Sequence, residues 1–281
     1  MHHFFVEPSN IREGKVYITG SDVHHIKQVL RLPLGEMIEV SDGSGKRYQC
    51  EIMEYKEFTL SERSTFSEGI TLSIVSEWIS VGELPARITL FQGLPKSDKM
   101  ELIIQKAVEL GVYEIVPVTT KRSVVKLDEK KAQKKVERWN VIAESAAKQS
   151  KRDLIPLVKP VMSYPDALVL AAEMDVVLLP YEQAEEMDVE FLSYEQAAGM
   201  DVVNLPYGQA TVMEATKEIV SKIERGQSVG VFIGPEGGFE PSEVSRGIEY
   251  GAIPISLGKR ILRTETAGLA LLSILMFHLE N

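Results

Sequence analysis

Two glycine-rich loops carry the residue types best suited to chemistry. The first lies within Val229 to Phe239, VGVFIGPEGGF, where an apolar strand runs into Gly234, Pro235, Glu236, Gly237 and Gly238 before Pro241 and Ser242 open a helix. A loop so placed sits at the carboxyl end of a strand, where open α/β sheets bind ligands, and its glycines let backbone amides approach a ligand closely. The pattern is neither GxGxxG nor the P-loop GxxxxGK followed by Ser or Thr, so neither phosphate-binding fingerprint is present. A bare glycine loop after a strand also serves as a simple turn.

The second loop is Ile255 to Gly268, ISLGKRILRTETAG. Here again a strand ends at a glycine, a polar stretch follows, and a helix begins, with Thr264 as candidate cap and Glu265 near the positive end of the helix dipole. Two such loops at neighbouring strand ends would form one pocket. By spacing alone, Arg263 and Glu265 are more often a surface pair than a catalytic one.

Charge bears on what such a pocket would serve. The chain of 281 residues carries 41 acidic against 31 basic side chains, a formal net charge of −10. An acidic balance argues against a nucleic-acid partner, because phosphate binding depends on Lys and Arg. Location weakens that inference. Residues 121–152 hold eleven Lys and Arg against four acids, a local +7, whereas the segment Met174 to Val212 holds eight acids and no Lys or Arg, leaving only −2 for everything else. Taken alone, the basic run reads more often as the solvated face of a helix than as an RNA contact.

That acidic segment is three consecutive copies of a 13-residue pattern, MDVVLLPYEQAEE, MDVEFLSYEQAAG and MDVVNLPYGQATV. The period is shorter than the common solenoid units. We read it as a local tandem duplication tolerated in a surface connection, since loop lengthening costs entropy slowly; a new binding surface is the alternative. Deleting 26 residues with activity unchanged would support tolerance, and loss of the fold would exclude it.

Metal chemistry is not expected. The single Cys50 can form no internal disulfide and no cysteine pair, which suits a reducing cytoplasm. The histidines are His2, His3, His24, His25 and His278, and each adjacent pair points to opposite sides of a strand or to diverging helix directions. No signal peptide is read at the start, and the apolar run Ala267 to Phe277 is shorter than the roughly 20 residues of a membrane span.

The elements that must position the loops follow from periodicity. Short alternating runs at His3 to Val6, Lys15 to Thr19, Glu36 to Val40 and Arg47 to Ile52 read as strands, with Ser41 to Gly45 turning the last two into a hairpin. One helix is expected over Asp22 to Arg31, capped by Ser21 and stopped before Pro33. From Arg87 the pattern becomes strand, helix, strand, helix, with strands at Arg87–Phe91, Glu114–Val118, Leu154–Val158, Asp175–Leu179, Val229–Ile233 and Ala252–Leu257. That alternation predicts an α/β domain with a parallel sheet covered on both faces. The last helix, Thr264 to Leu279, is apolar nearly all round and is expected in the core or in a subunit contact.

Read together, GPEGGFEPSE and SLGKRILRTETAGLALL resemble the two cofactor motifs of the SPOUT (trefoil-knotted) methyltransferases. The stretches FQGLPKSDKMELIIQKAVELGV, PVTTKRSVVK and AAKQSKRDLIP are similar in particular to the family that methylates N3 of a uridine in 16S ribosomal RNA, and MHHFFVEP with VHHIKQVLRLPLGE is similar to that family's start. The resemblance covers nearly the whole chain. It implies a SPOUT-type trefoil-knotted parallel sheet domain at 73–281, preceded by a small PUA-like β-barrel RNA-binding domain at 1–72. It further implies S-adenosyl-L-methionine as cofactor, the small ribosomal subunit's 16S rRNA as substrate, a homodimer and a cytoplasmic location. Two copies removed from the repeat leave 255 residues, in keeping with that family.

Carried over by position, the resemblance assigns the cofactor to Gly234, Pro235, Glu236, Gly237 and Gly238 on one loop and to Leu257, Gly258, Ile261, Leu262, Thr264 and Ala267 on the other. Leu179 and Pro180 complete it from a third strand, Val176 to Tyr181, which we favour over its copies in the repeat because Asn204 would bury an amide. Arg263 is the candidate to stabilise the uracil anion, Glu265 or Glu236 to assist proton removal. Arg31, Arg122 and Arg152 are the candidate RNA contacts. Two rivals stay open: a nucleotide-binding α/β enzyme, which lacks the expected Lys or ribose-binding acid, and a non-catalytic RNA-binding ribosome-assembly factor, which needs no cofactor loops.

Overall fold

A computed structural model describes residues 2–59, 66–79, 82–184 and 212–280. The second and third repeat copies, Asn204 among them, fall outside these residues except for Val212. The chain divides into two compact units, one of Met1–Glu83 with Ala147–Ile155, the other of Leu84–Ala146 with Pro156–Asn281.

The first unit is built on a six-stranded sheet in the order β1-β4-β5-β6-β3-β2. Its strands are β1 (His3–Phe5), β2 (Ile11–Arg12), β3 (Lys15–Thr19), β4 (Met37–Ser41), β5 (Lys46–Thr59) and β6 (Phe66–Ile79). Alternation puts Val16, Ile18, Ile38, Val40, Cys50, Ile52, Ile70 and Leu72 into one apolar core with Val23 and Ile26. The expected β4–β5 hairpin forms, with Asp42 Oδ1 accepting from the amide of Ser44 at 2.8 Å. β6 runs through residue 72, where the domain boundary was expected, because its pairing with β5 continues to Ile79 opposite Lys46.

The helix of this unit differs in detail from expectation. It starts as α1 (Ser21–His24), with Gly20 rather than Ser21 at the cap position, and passes into a π-helical turn over His25–Leu30. Arg31 ends it in the left-handed conformation at φ 53°.

The second unit holds the parallel sheet. Its strands are β7 (Arg87–Gly93), β8 (Glu114–Thr119), β9 (Leu157–Val158), β10 (Met162–Ser163), β11 (Val176–Pro180), β12 (Ser228–Ile233) and β13 (Ile253–Ile255). They lie in the order β10-β8-β7-β12-β11-β13, with β9 also on β8, and every pairing is parallel. The helices are α2 (Lys99–Glu109), α3 (Glu129–Gln149), α4 (Tyr164–Ala171), α5 (Val212–Ser221), α6 (Pro241–Glu249) and α7 (Thr264–Leu279). Burial on both faces explains why β12 and β11 read as unbroken apolar runs. Phe91 and Phe232 stack at 4.4 Å between ring centres, and Tyr164 packs edge-on against Phe232.

Helix α7 is two-faced despite its even apolarity. Leu271, Leu272, Leu275 and Leu279 are buried, whereas Ile274 and Phe277 are 48% and 73% exposed. Among the described residues, no helix is long and apolar enough to cross a membrane.

Candidate active site

The register of the sheet brings the two glycine loops together. Ile233 of β12 pairs with Gln92 of β7, and Pro180 of β11 pairs with Ile255 of β13, so the carboxyl ends of all four strands emerge side by side. Gly93 ends β7 where no side chain fits, since a Cβ there would lie 2.7 Å from Pro235. At the other end of the same loop Gly238 takes φ +65°, which a side chain would strain.

A buried hydroxyl locks the two loops. Thr264 Oγ1 donates to the carbonyl of Gly234 at 2.6 Å and accepts from Gln92 Nε2 at 2.9 Å. Arg263, not Thr264, occupies the cap position of α7, so the threonine's role is to join loops rather than to cap its own helix. Gln92 is fully buried and tethers both to β7.

Between these loops lies a cavity of about 380 Å³. Its wall includes Pro180 from β11, Gly234, Pro235, Glu236 and Gly238 from the first loop, and Leu257, Gly258, Ile261, Leu262, Arg263, Thr264 and Ala267 from the second. Three expected residues do not line it. Leu179 is fully buried in the sheet core, Gly237 turns its carbonyl to Arg122, and Glu265 lies behind the wall against Lys99. The third-strand expectation agrees with the first repeat copy, whose Val176–Pro180 forms β11 between β12 and β13.

Tyr181, the end of the expected third strand, also lines the cavity, and sequence reasoning missed Lys99, Glu182, Ile233, Phe239 and Ser256. Glu182 follows that strand directly, so continuing it by one residue would have found it. Lys99 gave no local signal. Its ammonium lies 3.1 Å from Glu236 Oε1 and 3.1 Å from Glu265 Oε2, one carboxylate from each loop.

Electrostatics here favour ionised groups. Burial pushes the Glu236 carboxyl up, but backbone amides, Lys96 among them, and the Lys99 ammonium outweigh it and hold the group below the usual carboxylate range. Glu265 is held low mainly by its own backbone amide at the start of α7, then by Lys99 and Arg263. Both carboxylates raise Lys99 through direct contact with its ammonium. Carboxylates so held are weaker bases than free glutamates.

The expected RNA contacts are placed differently from one another. Arg31 is exposed. Arg122 is partly exposed and binds Glu240 at 2.9 Å and the Gly237 carbonyl at 2.9 Å, which braces the first loop against the start of α6. Arg152 is only 6% exposed and forks onto Glu83, with Nε to Oε2 at 3.1 Å. Its guanidinium is engaged inside the first unit, so it does not present itself to a phosphate. Among the described residues, no three His, Cys, Asp or Glu side chains cluster as metal ligands.

Comparison with known proteins agrees with this geometry. An RNA methyltransferase domain model matches residues 82–276, and an RNA methyltransferase PUA domain model matches residues 18–56. The ribosomal RNA small subunit methyltransferase E of Bacillus subtilis is 36% identical over 100% of this chain and 98% of its own. Its namesake from Synechocystis is 30% identical over 95% of this chain and 74% of its own. The crystal structure of a ribosomal RNA small subunit methyltransferase E from Neisseria gonorrhoeae, bound to S-adenosyl methionine, superimposes with TM-score 0.68 at 28% identity, covering 97% of this chain and 95% of that one. The chain therefore belongs to the ribosomal RNA small subunit methyltransferase E family, with the α/β fold of the SPOUT class and a PUA-type module.

Proposed function

We propose that the chain transfers a methyl group from S-adenosyl-L-methionine to N3 of one uridine in 16S rRNA of the 30S subunit. The observation that carries this reading is the cavity formed jointly by the two glycine loops at the strand ends. Its volume suits a small cofactor, and apolar walls of Ile233, Leu257, Ile261 and Phe239 beside a few polar groups suit an adenosine with a charged tail. When bound, the cofactor supplies an electrophilic methyl group on a sulfonium.

The remaining work falls to the chain. The loops would fix the cofactor so that its methyl group can meet the acceptor, and such positioning is the larger part of catalysis for a displacement of this kind. Arg263 lines the cavity and is exposed there, placed to stabilise negative charge on the uracil as N3 loses its proton. Glu265 supports Lys99 behind the wall. Leu179 and Gly237 act through packing and through Arg122.

RNA contact is assigned to Arg31 in the PUA-type module and to the exposed Lys126, Lys130 and Lys134 at α3, with Arg122 in reserve behind Glu240. A homodimer is proposed through α7, which exposes Ile274 and Phe277, and the adjoining α2, which exposes Leu102. The trefoil-knot path and the cytoplasmic location belong to the same reading, as does a division of labour between an RNA-binding start and a methyltransferase remainder. Nothing favours a non-catalytic assembly factor.

The deciding experiment is transfer of labelled methyl groups to 30S particles and to naked 16S RNA, with mapping of the modified base. A methylated uridine N3 is expected. Cofactor binding without transfer to either substrate would overturn the proposal. Phe277→Glu should give a monomer in sedimentation analysis if α7 is the dimer contact.

A further inference from the structure

We propose that Lys99 is a positioning residue for methyl transfer, a single ammonium that clamps the two cofactor loops together by holding a carboxylate from each. The inference rests on the methyltransferase reading above and adds to it a residue outside both loops, contributed by α2.

The geometry is that of a three-way bracket. Glu236 lies on the loop after β12, Glu265 in the first turn of α7, and Lys99 at the first position of α2, with its ammonium 3.1 Å from each carboxylate. Glu236 also accepts from the backbone amide of Lys96 at 3.1 and 3.3 Å, so its carboxylate lies at the turn that leads into α2. Glu265 Oε2 is buried, accepts no directed hydrogen bond among the described residues, and meets the Lys99 charge. Lys99 itself lines the cavity.

Two like charges make the bracket necessary. Contact with one ammonium brings the two carboxylates within about 6 Å of each other, a separation at which like charges disfavour joint ionisation. The other charges facing them are few: Arg263 acts on Glu265 from the cap of α7, and Lys96 meets Glu236 through its backbone. Without Lys99 the loops must part or one carboxylate must take a proton. A shift of about 1 Å in the loops is enough to misplace bound reactants. The uncompensated charge is therefore the lever by which this residue can be tested apart from simple loss of packing.

The test compares wild type, K99M, K99R and K99M/E265Q by calorimetry with S-adenosyl-L-methionine between pH 5.5 and 8.5, together with kcat and KM. Wild-type affinity should be nearly flat with pH. K99M should bind about tenfold more weakly at pH 8, and the deficit should shrink as the pH falls and one glutamate protonates. E265Q added to K99M removes the second charge and should restore most of the affinity at pH 8, with K99R close to wild type. Affinity of K99M equal to wild type, or a deficit that neither acid nor E265Q relieves, would overturn the bracket. The double variant carries the test if K99M alone folds poorly. Wild-type protein with no affinity for the cofactor would instead overturn the functional reading, and the bracket with it.

Discussion

The two units each gather acids, bases and hydroxyls into a cluster, and the one in the second unit faces a cavity of ligand size. In the first unit Asp153, 1% exposed, receives Arg47 Nε at 2.7 Å and the hydroxyl of Ser41, which His3 Nε2 also meets at 2.7 Å. Beside it Glu83 takes Arg152 and the amides of Asp153 and Leu154. This cluster has the residue types of a hydrolytic site but spends nearly every donor and acceptor on its own members. In the second unit Lys99, Glu236 and Arg263 sit on a cavity wall with Glu265 just behind. Chemistry-bearing residue types mark a site only where the fold leaves room for a substrate.

The comparison breaks most visibly at Glu83. Glu83→Ala leaves the Arg152 guanidinium buried without its carboxylate and strips two backbone amides of their acceptor. Loss of one partner from such a buried pair costs about 3–5 kcal/mol. Chemical denaturation should show that loss, while the folded fraction keeps wild-type affinity for S-adenosyl-L-methionine. A parallel fall in affinity would mean that the two clusters are not separate in function.

Thr264→Val tests the other side at lower cost. It removes the hydroxyl that joins Gly234 to Gln92 while keeping the shape, and leaves a carbonyl and a buried amide short of a partner. About 1–3 kcal/mol of stability should go. Cofactor affinity should fall with it by about tenfold, since both loops line the cavity. Lost stability with unchanged affinity would show that the relay holds the fold but not the site.

Next in size is Glu243→Ala. Its carboxylate closes the capping box of α6 by accepting from the amide of Glu240 at 2.9 Å, and it also accepts from the amide of Lys121 at 2.8 Å. A lost cap costs about 1 kcal/mol. The denaturation midpoint should drop accordingly, and cofactor affinity should fall less than in Thr264→Val because Glu243 does not line the cavity.

What could be read from sequence divides along the same physical line. The parallel strands were legible because burial on both faces leaves unbroken apolar runs such as Val176–Leu179, and both glycine loops because strand, loop and helix follow one another locally. The ion pairs were not, since Lys99 and Glu236 lie far apart in the chain and meet only through the β7–β12 register. Arg152 misled for the same reason: a cation in a basic run looks solvated, and its pairing with Glu83, 69 residues away, is not visible locally. The change of pattern along the sequence puts the end of the first module between Leu72 and Pro85, and backbone pairing carries β6 to Ile79 within that span.

The smallest effect is one of pH, and it belongs to the closed cluster. Burial lowers the His3 imidazole below its ordinary value; Arg47 and Lys148 act in the same direction, against Asp153 and Glu39. Its Nδ1 is buried without a partner among the described residues, so a second proton has no acceptor there. Folding therefore favours the neutral ring. The stability this contributes is full above the unfolded-state pKa of about 6.5 and is lost as the pH falls from there toward the lowered folded-state value. Denaturation midpoints of wild type and His3→Asn should converge as the pH drops from 8 to 5.5, because the unfolded wild-type chain alone gains the proton in that window. Equal slopes for the two proteins would show that His3 takes up its proton in the fold as readily as in the unfolded chain, and that its cluster is less closed than the geometry implies.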